Sequence, residues 1–310
     1  MSFRTASALL KGIWLVEPSY ARAQMPLVLK MIFGDKGASR TSDAGIDLYK
    51  QRLEKMPQSI FMPKKRSLTS TTDVFSVSPY VSTDRLPYNS IAMIDIIGPV
   101  LKYGDYCAYG TVEYNELILR LANSPRVTGI ILNIDSPGGQ ADGTAMFAQT
   151  IREVARNSKP VIAIVQDGIA ASAAMWIASA AQEIYVTQPT DQVGSIGAYQ
   201  LLYDYSGYLE EMGVKEHLIL APQSTDKIKD YLDALKGDYT LIKEDLKFLV
   251  DDFVKAVKAG RGARLSTGEE NVFTGKMYRA AEAKKLGLID GVKSFAQVIQ
   301  RMEQLIKLRG

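Results

Sequence analysis

Four short, almost wholly apolar segments recur along the middle of the chain, the first three separated by polar stretches with helical patterning and the last two by a segment of small, mostly apolar residues. They are SIAMIDII from Ser90, VTGIILNI from Val127, VIAIV from Val161 and EIYV from Glu183. A strand that is apolar on both faces must be covered on both faces. Two of the intervening stretches, YGTVEYNELILRLANS and TAMFAQTIREVARN, space their apolar residues as amphipathic helices do. Strand and helix taken in turn build a mainly parallel sheet covered by helices, an α/β architecture.

Further along, residues 237–259 read as a long charged helix ending at AGRG. AAEAKKLGLIDGV then reads as a helix, a glycine stop and a short strand. In the terminal AQVIQRMEQLIKLRG, the residues Val298, Met302, Leu305 and Ile306 form a stripe that can pack within the subunit or against another one. The opening of the chain differs in texture. ASALLKGIWLV, EPSYARAQMPLVLKMIFG and SDAGIDLYKQRLEKM read as short amphipathic helices, and the Ser/Thr-rich stretch around Pro79 reads as a linker or mobile loop. The resulting division is a helical, basic N-terminal arm over 1–66, a linker over 67–88 and a main domain over 89–310.

Charge and rare residues narrow the function. The net charge of +3 is too small to argue for nucleic acid, but it is uneven: +7 over residues 1–66 and −4 over the remainder. A basic arm on a slightly acidic body suits a contact segment. One cysteine, Cys107, excludes an internal disulfide and suits a reducing, cytoplasmic setting. One histidine, His217 in the expected strand VKEHLIL, excludes a histidine metal cage. No apolar run reaches the roughly 18–20 residues of a membrane span. The opening segment imitates a secretion signal, but Lys11 and Glu17 interrupt it. Neither a metal nor a cofactor is expected.

Two strand ends carry the chemistry, because α/β sheets place sites at the carboxyl ends of their strands. In NIDSPGGQADG (133–143), Pro137 fixes φ, and Gly138 and Gly139 allow consecutive N–H groups to point outward. A helix expected over 140–156 follows. Such a segment can hold an oxyanion, or it can be a plain strand-to-helix turn. In QDGIAASAAMWIASAA (166–181), Ser172 stands among Ala170, Ala171, Ala173 and Ala174. Those alanines either clear space around a reactive hydroxyl or serve close helix packing. A serine needs a base to become a nucleophile, and with His217 in an apparent strand the remaining route is a lysine kept neutral by burial.

The ordered set IDSPGG, GIAASAAMWIASAAQEIYVTQPTDQVGSIGAY, FVKAVKAGRG and FTGKMYRAAEAKKLGLIDGV resembles the signal peptide peptidase A family of serine-lysine peptidases. Its phage-encoded members process capsid or scaffold proteins. The likeness spans residues 91–293 and implies the wider Clp-protease/crotonase fold. It also implies roles. Ser172 would be the nucleophile, Gly139 and Ala173 would donate the oxyanion N–H groups, and Gly138 and Ala174 would border the substrate. Ser195 would orient the catalytic lysine. Lys227 stands nearest the family's lysine position, with Lys229 as the runner-up. Ala173 and Ala174, where many members carry glycine, imply a narrow pocket for small or slim apolar side chains. Protein or peptide substrates and a homo-oligomer, with the arm as a candidate contact, complete the expectation, in the cytoplasm or associated with a prohead. Two alternatives remain: a non-catalytic capsid- or portal-associated protein on the same fold, and a crotonase-type acyl-CoA enzyme using Asp135, Asp142 or Asp167.

Overall fold

The computed structural model describes residues 14–16, 62–66, 72–104, 109–204, 206–266, 268 and 270–309. Its strands are β1 (Trp14–Val16), β2 (Lys64–Arg66), β3 (Val74–Val77), β4 (Ser90–Ile97), β5 (Val127–Ser136), β6 (Gly138–Gln140), β7 (Val161–Ala171), β8 (Glu183–Val186), β9 (Gln192–Gly194), β10 (Met277–Arg279) and β11 (Gly291–Val292). Nine of these form one sheet, with β10, β9, β7, β5, β4, β3 and β2 in order and β8 and β11 branching from β7. Pairing from β3 through β4, β5 and β7 to β8 is parallel, as is β7 with β9; only β2 and β10 run antiparallel to their neighbours. The expected α/β class, a mainly parallel sheet between helices, is what the chain adopts.

The central strands β4, β5, β7 and β8 are largely apolar because each face meets a different helix layer. Along β4, Ile91 and Met93 face one way and Ala92, Ile94 and Ile96 the other, the two-residue period of a strand. The second set joins Leu117, Ile118 and Leu121 of α1 (Thr111–Asn123), Phe147 and Ile151 of α2 (Thr144–Asn157), and Trp176 and Ile177 of α3 (Ala173–Ser179). Beyond α3 come two short exposed helices, α4 (Ser206–Glu211) and α5 (Lys229–Leu235), then the long α6 (Thr240–Arg261) and α7 (Ala280–Lys285). The opposite face is closed by α8 (Phe295–Lys307), whose Val298, Ile299, Met302 and Leu305 lie on Ile91, Met93, Ile131 and Ile162. The C-terminal stripe is therefore spent inside the subunit.

Several expectations are corrected. The Ser/Thr-rich stretch contains β3, whose Val74, Phe75 and Val77 are buried and whose backbone pairs with β4. Alternating Val-Phe-Ser-Val outweighed the loop-forming residues around it. His217 lies in exposed irregular chain rather than in a strand. At the N-terminus, Trp14–Val16 is a strand, not part of a helix, and pairs antiparallel with β6. The remaining helices expected over 1–60 fall outside the described residues.

Candidate active site

Just past the end of β5, the two glycines of SPGG and Gln140 form the short strand β6 rather than a turn running into a helix, and α2 begins only at Thr144, behind Gly143 at φ 83°. Val100 holds β6 in place. Its N–H donates to the Gly138 carbonyl and its carbonyl accepts from the Gln140 N–H, both at 2.8 Å. The contact requires a glycine: a Cβ on Gly139 would stand 1.8 Å from the Val100 carbonyl oxygen. Gly138, at φ 91°, donates its N–H to the buried Ser136 hydroxyl at 3.2 Å. Because strand N–H groups alternate in direction, the Gly139 N–H points away from Val100.

Beside this strand lies α3, with Ser172 as the residue immediately before it. Ser172 is buried and sits at φ 54°, a conformation a β-carbon disfavours. The β9 segment holds it there. The Ser172 N–H donates to the Gly194 carbonyl at 2.8 Å, and its hydroxyl makes a long contact of 3.5 Å to the Gly197 carbonyl. The first helical hydrogen bond runs from the Trp176 N–H to the Ser172 carbonyl, so the Ala173 N–H precedes the ladder and has no partner within the helix. Ala173 and Ala174 are fully buried.

A carboxylate supports this arrangement. The first half of β7 pairs with β8 and its last residues with β9, and the strand bends between them at Asp167, where φ is 52°. Buried Asp191 spans the fork: one oxygen accepts the Gly168 N–H, and the other accepts the N–H groups of Thr187 and Gln188, each at 2.9 Å. Asp135 accepts the Ile169 N–H at 3.2 Å and so braces the same bend. Val100, Gly194, Gly197 and Asp191 are positioning residues that sequence reasoning missed. Nothing in the local pattern marks them: Val100, Gly194 and Gly197 act through backbone groups, and Asp191 through carboxyl oxygens that accept backbone N–H groups.

The structure brings Ser172, Ala173, Ala174, Gly138, Gly139 and Ser195 to one end of the sheet. Ser195 follows Gly194, the partner of Ser172, and its own N–H donates to the Lys276 carbonyl. It does not bring the lysines there. Lys227 is exposed in the turn before α5. Lys229 opens α5 and pairs with Asp233 at 2.6 Å, a hydrogen bond that raises its pKa and holds it charged. Among the described residues, no lysine ammonium bonds to Ser172 or Ser195.

Comparison with known proteins gives this arrangement a family. Residues 153–309 match peptidase family S49 and residues 110–189 match the Clp protease family, the two overlapping across Ser172. A Methanocaldococcus jannaschii relative is 29% identical over 62% of this chain, and Protease 4 of Haemophilus influenzae is 25% identical over 73%. The chain spans 60% and 37% of the lengths of these two relatives. Capsid assembly protease C of Escherichia phage lambda is 42% identical over 36% of this chain and 25% of its own. With a match covering half of its length and a Clp-type sheet carrying the shared segments, the chain belongs to peptidase family S49.

Proposed function

We propose that the chain is a serine endopeptidase whose nucleophile is the Ser172 hydroxyl. The observation that carries this reading is a buried serine held at φ 54° beside a glycine strand that tolerates no side chain at Gly139. A strained residue at a strand-to-helix junction is a recurrent setting for a nucleophile. In this reading the Ser172 Oγ adds to a peptide carbonyl while a neutral lysine takes its proton. The N–H groups of Gly139 and Ala173 hold the oxyanion, which stabilises charge only as it develops. Collapse expels the amine, which leaves with the lysine's proton, and water then releases the acyl group from Ser172. Gly138 and Ala174 border the substrate backbone.

Lys227 is the base in this mechanism, and Ser195 orients it. The exposed turn carrying Lys227 must close on the site for the proton transfer, whereas Lys229 is held charged by Asp233 and is the weaker candidate. The phage lambda relative's name suggests capsid-assembly proteins as the substrate class, and a homo-oligomer fits the exposed apolar residues Leu201, Met212, Leu218 and Ile219 beyond β9. No helix among the described residues is long and apolar enough to cross a membrane. One observation favours the competing reading of a non-catalytic capsid- or portal-associated protein: among the described residues, neither lysine bonds to Ser172, Lys227 being exposed and Lys229 paired with Asp233.

A fluorophosphonate label and a peptide-cleavage assay test the reading together. Ser172→Ala is expected to lose the label and to lower cleavage by about 10³-fold or more. Lys227→Met is expected to lose cleavage while Lys229→Met keeps it. Cleavage undiminished by Ser172→Ala refutes the proposal. An unlabelled, inert parent protein supports the structural role.

A further inference from the structure

Strand β1 is the element the peptidase reading leaves unexplained. Trp14–Val16 pairs antiparallel with β6, in the register Trp14 with Gln140, Leu15 with Gly139 and Val16 with Gly138. These two strands form a sheet of their own, apart from the nine-stranded one. One edge of β6 is committed, since Val100 takes the Gly138 carbonyl and the Gln140 N–H. Alternation then turns the N–H and carbonyl of Gly139 toward the other edge, where Leu15 is the register partner. That N–H is the one assigned above to the oxyanion. The Leu15 carbonyl thus stands where the carbonyl of an extended peptide would have to come.

We infer that Trp14–Val16 is an internal occupant of the peptide-binding edge, which a substrate must displace before it can pair with β6. The inference rests on the peptidase reading for the class of ligand, an extended polypeptide recognised by strand addition. In such recognition main-chain hydrogen bonds supply the affinity, so a segment of the same chain competes with any foreign strand. Tethering gives the segment an effective concentration on the order of millimolar, enough for a three-residue pairing to hold the edge. The same brevity keeps it displaceable, since an isolated two-stranded ribbon is marginal in water.

The test uses the full chain carrying Ser172→Ala, so that nothing is cleaved, and a fluorescein-labelled synthetic peptide of residues 11–20, KGIWLVEPSY. Leu15→Pro removes the N–H that meets the Gly139 carbonyl. It is expected to tighten peptide binding about tenfold, as the free fraction of the edge rises, and to speed hydrogen exchange at the Gly139 amide. Equal affinity with unchanged exchange overturns the inference. Leu15→Ala keeps both backbone groups and is expected to match the parent. If it tightens binding as much as Leu15→Pro does, the ladder is not what holds the segment, and the inference falls. The two readings separate in the Ser172 background. An inert protein whose affinity still responds to Leu15→Pro sinks the peptidase and keeps the occupant. An active protein indifferent to Leu15→Pro does the reverse.

Discussion

Holding Ser172 at φ 54° costs on the order of 1–3 kcal/mol, which the carbonyls of Gly194 and Gly197 and the packing of α3 offset. Gly139 is constrained the opposite way, by what cannot be added to it. Gly139→Ala must push its methyl into the Val100 backbone. We expect it to destabilise the fold by about 1–3 kcal/mol and to lower kcat/KM by about 10²-fold or more. Denaturant melts and steady-state cleavage check both, and a variant matching the parent in each contradicts the Val100 contact and the oxyanion role together. At this scale the sequence was partly legible. SPGG and the alanines around Ser172 made the two segments of the proposed site conspicuous, because small residues leave a local signature. The strained φ did not, because the hydrogen bonds that impose it come from Gly194 and Gly197. Lys227 stayed undetermined for a related reason: the chain from 201 to 239 buries little besides Ala234, so no packing pattern locates it.

Elements with long, regular periodicity were the most readable. TAMFAQTIREVARN coincides with α2, and the charged helix read over 237–259 is α6, shifted by a few residues. Short apolar runs were the least readable. GIWLV and VFSV are both compatible with strand or helix by composition, and pairing partners elsewhere in the chain decide between them. One contact between elements matters more than its size suggests. Trp176 of α3 and Phe253 of α6 are both buried and stack at 4.7 Å with an 8° angle between rings. This fixes the helix that follows Ser172 against the helix that follows the lysine-bearing segment. Phe253→Ala is expected to cost about 3–5 kcal/mol by opening a cavity under α3. It should also lower cleavage beyond what the loss of folded protein explains. A loss under 1 kcal/mol, read by urea unfolding, would show that the stack is not a structural joint.

For the whole molecule, the alternating apolar runs announced a parallel sheet, and the sheet in turn determined where the two glycine- and alanine-rich segments meet. The last closure of the fold is ionic. Asp290 accepts from Arg261 at 2.8 Å, from Arg264 at 3.1 Å and from the Ile184 N–H at 2.7 Å, tying the end of α6 to β8. Burial raises the Asp290 pKa, but its hydrogen bonds and the two guanidinium charges outweigh this and leave it below the ordinary range. A carboxyl with a depressed folded-state value contributes stability above about pH 4, and that contribution is lost as the pH falls through the depressed value. Asp290→Asn is therefore expected to cost about 3–5 kcal/mol near neutral pH, and the gap to the parent should narrow on acidification below pH ~4. Chemical denaturation at both pH values measures it, and a gap that stays constant refutes the assignment.

The fork in β7 bears on how such a site can be exchanged between proteins. Asp191 closes the fork by holding Gly168, Thr187 and Gln188 at once, and the Gly194 and Gly197 carbonyls that seat Ser172 lie only a few residues further on. A chimera that took Ser172 and its helix from one parent and the chain after Thr187 from another would separate the serine from the groups that shape it. The heritable unit is the block from Val161 to Gly197, and a recombination break inside it would carry the hydroxyl across without its geometry.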